Sequence, residues 1–171
     1  MIKTPYEQEL MRRDGIHHVA AYSRIPHLYQ EGMSDIELQI EIEKKLREEG
    51  CLGVIRLAGN QMEINLGSVL AGENADAPSP YDFLLGGAGQ SAGFPLGADG
   101  TILRPGMTVM VDMNGNFNGY QTDLTRVYSV DGDVPAEALK AHETAKAILR
   151  RLEKESLPGT PLRRMYTTAA D

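Results

Sequence analysis

Two acids in a largely apolar stretch are the residues best placed to do chemistry. Val109-Met110-Val111-Asp112-Met113 is apolar except at Asp112, and after Asn114-Gly115-Asn116-Phe117-Asn118-Gly119 the chain continues as Tyr120-Gln121-Thr122-Asp123-Leu124-Thr125-Arg126. An ionised carboxylate inside an apolar strand is costly unless a cation or several donors compensate it. The Asn- and Gly-rich segment between the two runs is a hairpin signal. A hairpin lays Asp123 on the return strand beside Asp112, and the two converge on one face if the register allows. Carboxylate oxygens are hard ligands that suit Mg, Mn and similar divalent ions, and a carboxylate offering both oxygens can bridge two of them. Spacing alone equally admits a plainer reading, in which the acids are solvated at strand ends or paired with Arg126. A closed two-metal site needs more ligands than two aspartates, and no further cluster stands out in the sequence.

The remaining reactive side chains carry weaker signals. His17 and His18 are adjacent on a helical stretch and point in different directions, so a solvated or capping role is expected for both, and likewise for His27 and His142. Gly86-Gly87-Ala88-Gly89 lacks the Lys-Ser/Thr of a phosphate cradle and reads as a flexible loop. Cys51 follows a helix-ending glycine and reads as a small core residue. The run 41–49 alternates acids with Lys44, Lys45 and Arg47, as a solvated helix face does.

The elements that must position Asp112 and Asp123 follow from periodicity. Apolar Leu10, Ile16, Val19, Ala20, Ile25 and Leu28 predict one long helix over about 6–30, with Gly15 and Pro26 as the points where it would kink. Ser34 and Glu37 form a capping-box pattern opening a second helix over about 34–49, with Ile36, Leu38, Ile40, Ile42 and Leu46 as its apolar side. Short apolar segments at 52–57 and 62–66, split by Gly59-Asn60, read as strands, within a strand-rich and loop region spanning 52–130. The stretch 68–100, rich in Gly, Ala, Ser and Pro, reads as irregular and functional or mobile. After Pro105-Gly106, strands are expected at 107–113 and 120–130, then a helix over about 135–155 and the start of another at 161–171. Helix, Gly32-Met-Ser, helix is loosely repeated as helix, Gly159-Thr-Pro, helix, which suggests a duplicated unit. The second copy stops at Asp171 with its helix still running, so the natural protein is expected to continue.

A chain of 171 residues with formal net charge −7 suits one soluble domain and argues against nucleic acid or an anionic membrane surface as partners. One cysteine excludes an internal disulfide. The N-terminus has no apolar run after a basic one, so a cytoplasmic location is expected.

The stretch around the two acids resembles the metallopeptidase family with the pita-bread fold, which includes methionine aminopeptidases, Xaa-Pro aminopeptidases, prolidases and creatinase. The likeness rests on the apolar strand ending in Asp112, Gly119-Tyr120 and Asp123-Leu-Thr-Arg126. Arg104-Pro-Gly-Met-Thr and Gly32-Met-Ser-Asp-Ile-Glu-Leu38 extend it over nearly the whole chain, nearest to the Xaa-Pro peptidase branch. It implies an α+β pita-bread (creatinase/aminopeptidase-like) fold, present as the first repeat plus the start of the second, with 1–171 a partial catalytic domain. It implies a metal-dependent exopeptidase that hydrolyses the N-terminal bond of a peptide or dipeptide through a water bridging two divalent metals (Mn, Co, Zn or Fe). Asp112 would chelate one metal, Asp123 would bridge both, and Thr125 and Arg126 would orient them. One His and two Glu ligands would come from beyond Asp171, leaving this chain by itself inactive; the family also admits a homodimer. Relatives usually carry a His near the end of the loop Gly72-Glu73-Asn74-Ala75-Asp76-Ala77-Pro78-Ser79-Pro80-Tyr81, where Ser79 or a neighbour stands here, so the catalytic residue is unknown. A Ser cannot replace an imidazole near neutral pH. That departure keeps open an alternative, a non-enzymatic pita-bread module that binds peptide or protein partners.

Overall fold

Reciprocal capping opens both of the first helices. In the computed structural model, which describes residues 2–56, 63–80 and 85–170, the Thr4 side chain accepts from the Glu7 backbone while Glu7 accepts from the Thr4 N–H. Ser34 and Glu37 do the same, so the free amides of each first turn are satisfied. Helix α1 spans Pro5–Tyr22 and α2 spans Asp35–Glu48. The single helix expected over 6–30 thus ends at Tyr22, and a short 3-10 turn follows at Ile25–His27. Pro26 has no N–H to continue an α ladder. Gly15 does not interrupt α1.

The buried face of α1 differs from the one read in the sequence. Ile16 and Val19 are 68% and 56% exposed, whereas Asp14 and His18 are 2% and 1% exposed and lie beside buried Ala21 and Tyr22. His18 is therefore a buried residue, not a solvated or capping one. On α2, Leu38, Ile42 and Leu46 are buried at helical spacing, but Ile40 is exposed.

Strands β1 (Ile55–Arg56) and β2 (Glu63–Ile64) pair antiparallel; Leu57, Gly59-Asn60 and Met62 lie outside the described residues. A second sheet has the order β3-β4-β5, with β3 at Gly67–Ala71, β4 at Thr108–Asn116 and β5 at Gln121–Ser129. The reading of 68–100 as wholly irregular missed β3, whose apolar run Val69-Leu70-Ala71 is too short to show a period. Strand β3 is nonetheless buried by pairing along β4. After a 3-10 turn at Gly72–Asp76 the chain is irregular but hydrogen-bonded, and Gly86-Gly87-Ala88-Gly89 is part of that network and not a loose loop. Gly87 N–H donates to the Ala77 carbonyl at 3.0 Å, Gly97 N–H to the Gly86 carbonyl at 3.1 Å, and Ala88 N–H to the Asn74 side chain at 2.7 Å.

Val69, Ala71, Val109, Val111 and Met113 face α1 and α2, joining Tyr22, Ile25, Leu38, Ile42 and Leu46 in one core. Cys51 lies in the same core. Asp35, fully buried, ties α2 to the segment that enters β4. Its carboxylate accepts from the backbone N–H groups of Ile36 (2.8 Å), Gly100 (2.9 Å) and Asp99 (3.3 Å). Burial pushes its carboxyl up, and the hydrogen bonds from Gly100 and Asp99 pull it back down.

The chain divides into two compact units, Met1–Gly132 and Asp133–Asp171. The second contains α3 (Ala136–Glu155) and α4 (Leu162–Ala170), joined through Gly159 at φ 92°. Ion pairs line α3, including Arg151 to Glu155 at 3.0 Å, and the Thr168 hydroxyl of α4 donates to Glu155 at 3.2 Å. Leu139, Leu149, Leu162 and Tyr166 are exposed. Among the described residues no helix is long and apolar enough to cross a membrane.

Two stability predictions follow from these contacts. Asp35→Ala leaves the amides of Ile36, Asp99 and Gly100 without their acceptor, and a loss of about 2–4 kcal/mol is expected by urea unfolding. Burial, followed by the positive charge of Arg126, lowers the His18 pKa from 6.5 to about 4. The unfolded chain therefore binds a proton at His18 that the folded protein refuses, so stability contributed by neutral His18 is lost as pH falls from 6.5 towards 4. Between about pH 6.5 and 4.5 the wild type should lose about 2–3 kcal/mol more than His18→Phe, read from urea curves across that window.

Candidate metal centre

Strands β4 and β5 pair continuously, with Asp112 opposite Thr125, Met113 opposite Leu124 and Asn114 opposite Asp123. The strands run through Asn116 and resume at Gln121, so residues 114–116 expected in the turn belong to β4. At the turn, Gly119 adopts φ 97° and its N–H donates to the Asn116 side chain at 2.9 Å. Side chains alternate along a strand, so Asp112, Asn114, Asp123 and Thr125 all stand on the face away from the helices. Asp112 and Asp123 are diagonal neighbours across the strands, about 7–8 Å apart between Cα atoms. Asp112 lies in the middle of β4, so it is not a strand-end acid, and neither aspartate forms an ion pair with Arg126.

The Thr125 hydroxyl donates a hydrogen bond to Asp112 Oδ1. Burial raises the Asp112 carboxyl above the ordinary range; the Thr125 bond opposes that rise and the negative charge of Asp123 adds to it. Ser68 and Leu70 of β3 share this face and are buried. Arg126 stands on the opposite face, across from Val111, and its guanidinium donates to the Thr125 carbonyl at 2.7 Å. It touches neither carboxylate. Ser79 lies half-buried in the coil after the 3-10 turn at Gly72–Asp76, and Tyr81 is outside the described residues.

Behind the sheet stands a set of residues whose joint contacts were not expected from the sequence. The Tyr22 hydroxyl accepts from Met113 N–H at 3.0 Å and donates to the Leu124 carbonyl at 2.6 Å. His18 Nδ1 and the Thr122 hydroxyl share a 2.8 Å hydrogen bond. Asn118 donates to Asp14 Oδ1 at 2.9 Å, and the Tyr120 hydroxyl donates to Glu7 at 2.8 Å. Burial holds the Tyr22 phenol above its ordinary range, so it remains a neutral hydroxyl able to donate. The signal was present as Asp14, His18 and Tyr22 at four-residue spacing, a polar stripe on one side of a helix.

The donor set fits part of a carboxylate metal centre. Two hard oxygen ligands share one face, one is held at a single oxygen by Thr125, and mutual repulsion and burial both favour a neighbouring cation. Among the described residues no group of three or more His, Cys, Asp or Glu side chains could hold a metal ion, so Asp112 and Asp123 do not by themselves make a closed set.

Comparison with known proteins bears on the family and the fold. The chain is 36% identical over 62 residues to methionine aminopeptidase 1 of Saccharomyces cerevisiae, a match covering 36% of this chain and 16% of that protein. Its structure is similar to an X-Pro aminopeptidase from Thermotoga maritima (TM-score 0.76, 20% identity), covering 99% of this chain and 41% of that one. It is also similar to a dipeptidase from Pyrococcus horikoshii (TM-score 0.76, 21% identity, 99% and 40% covered). A prolidase from Thermococcus sibiricus gives a TM-score of 0.71 at 22% identity, with 98% and 39% covered. The chain thus has the α+β pita-bread fold and spans about 40% of the length of these solved relatives. Residues 9–171 match Metallopeptidase family M24, and the chain belongs to that family.

Proposed function

We propose that this chain supplies Asp112 and Asp123 to the metal centre of a metal-dependent exopeptidase that removes an N-terminal residue from a peptide or dipeptide, in the manner of Xaa-Pro peptidases. The observation that carries the reading is the register, which puts both acids on one face of the β4–β5 hairpin with Thr125 bonded to Asp112. Family membership supports metal-dependent peptide hydrolysis, and the names of the similar structures support an exopeptidase. Bound divalent ions would supply a water of lowered pKa and polarise the scissile carbonyl.

The chain's own residues do the positioning. Thr125 holds one Asp112 oxygen and leaves the other to face a cation, Asp123 adds charge from the neighbouring row, and Arg126 steadies the Thr125 backbone from behind. Two aspartates are too few to close a two-metal site, so weak metal binding and no peptide cleavage are expected of the described residues. A cytoplasmic location is consistent with a single, buried, unpaired cysteine.

A second reading, a non-enzymatic peptide- or protein-binding module, is supported by Ser79 where relatives usually carry a His. The paired acids oppose it, because a binding surface has no need for them.

Titration of Mn(II) into the 171-residue chain, followed by line broadening of backbone amide signals, separates the two. Broadening centred on residues 112 and 123 is expected, with an apparent Kd on the order of 10⁻⁴–10⁻³ M for so few ligands. Asp112→Asn and Asp123→Asn should each weaken binding at least about tenfold. Unchanged binding in both variants would move the metal elsewhere and leave the binding-module reading standing.

A further inference from the structure

Tyr22 makes contacts that a core-filling tyrosine does not need. The Asn114 N–H turns towards β3 and bonds the Leu66 carbonyl at 2.7 Å. Successive N–H groups on a strand point to opposite sides, so the Met113 N–H turns towards β5, where its registered partner is Leu124. The Tyr22 hydroxyl joins those two facing groups, accepting from the Met113 N–H and donating to the Leu124 carbonyl. A side chain from α1 therefore reaches the backbone of both strands at a single row.

The row it enters lies midway between the two aspartates. Asp112 belongs to the row on one side and Asp123 to the row on the other. Both carboxylates project from the face opposite Tyr22, so strand separation at the 113/124 row feeds directly into their spacing. The ring is itself held in place. It packs edge-on against His18 with centroids 4.8 Å apart, and His18 bonds Thr122, the neighbour of Asp123. Met113 and Leu124 lie against the same side of the sheet, so the ring cannot swing away without opening the core.

We propose that Tyr22 is a positioning residue whose hydroxyl, bridging the β4–β5 seam between their rows, sets the spacing at which Asp112 and Asp123 meet a divalent cation. The proposal rests on the reading of those aspartates as metal ligands. Tyr22→Phe keeps the ring and removes only the hydroxyl that ties the Met113 N–H and the Leu124 carbonyl to α1. Without that tie, the spacing of the two strands at this row is expected to change. A ring that merely fills the core would leave cation affinity unchanged, even if the variant were less stable.

The test uses the 171-residue chain with Mn(II) as the probe, comparing wild type, Tyr22→Phe and Asp112→Asn by amide line broadening, alongside urea midpoints. Support is a folded Tyr22→Phe variant that binds Mn(II) about tenfold more weakly, as loss of a residue supporting a ligand does, with signals from α2 and residues 99–101 unmoved. If Asp112→Asn weakens binding while Tyr22→Phe binds like wild type, the positioning role is overturned and the ligand reading stands. If Asp112→Asn also binds like wild type, the ligand reading fails and the proposal falls with it. Should Tyr22→Phe not fold, wild type titrated with Mg(II) decides the matter: the buried Tyr22 hydroxyl proton resonance should shift with the same apparent Kd as the amides of 112 and 123. A hydroxyl signal that stays fixed while those amides move overturns the proposal.

Discussion

The polar seam between α1 and the β4–β5 hairpin is the constraint on which the rest of this structure depends. A helix packed on a sheet ordinarily presents apolar side chains, but α1 presents Asp14, His18 and Tyr22, and each must find a partner because an unmet buried polar group is costly. Those partners are specific atoms of the hairpin: the Asn118 amide, the Thr122 hydroxyl, the Met113 N–H and the Leu124 carbonyl. Apolar packing tolerates a shift along the groove, whereas directional bonds at successive turns of the helix do not. A slip of one residue in β5 would turn Asp123 towards the helix and Leu124 out to the opposite face. The register that creates the candidate site is thus enforced from the side of the sheet that the site never touches. Among the described residues, Asp14 Oδ2 and His18 Nε2 have no hydrogen-bond partner, so the seam gives up some stability for this specificity.

Two glycines make the close approaches possible. At Gly115 a Cβ would lie 2.5 Å from the Thr122 hydroxyl and 3.3 Å from His18 Nδ1, so only glycine leaves room for the His18–Thr122 bond. At Gly67 a Cβ would lie 2.0 Å from the Asp112 carbonyl oxygen, where the obstacle is backbone and cannot rotate aside. Strand β3 therefore reaches β4 at the row next to Asp112 only because residue 67 has no side chain. Together with Asp35, which holds the loop entering β4, these contacts leave the central strand little freedom to shift.

Asp112 and Asp123 were legible in the sequence because an acid in an apolar run violates a local rule, and the Asn-Gly segment announced the hairpin between them. The capping box at Ser34 and Glu37 was legible because it is a purely local device. What was hidden depends on tertiary contact. Strand β3 is too short to show a period, and its burial comes from β4, more than thirty residues away. The buried face of α1 was misread because Ile16 and Val19 look like core residues while Asp14 and His18 look like surface ones; only the hairpin's hydrogen-bonding atoms reverse that order. Arg126, two strand positions away from Leu124, reads in sequence like a partner for the acids, yet alternation places it on the other face.

The same geometry explains why two aspartates can be kept on one sheet face at all. Their charges oppose each other, and partial burial adds to the strain at Asp112, so the pair is unfavourable as an isolated feature of the fold. Thr125 offsets part of this with one hydrogen bond, but a hydroxyl donates only once and leaves the second oxygen of Asp112 unmet by it. Arg126, the nearest cationic residue in sequence, is turned away and spends its guanidinium on a backbone carbonyl. A fold selected for stability alone would bring that arginine round or replace one acid. Asp14, His18 and Tyr22 of α1 instead make four hydrogen bonds to the hairpin that carries both acids, an arrangement that suits the proposal that a cation completes the charge balance between them.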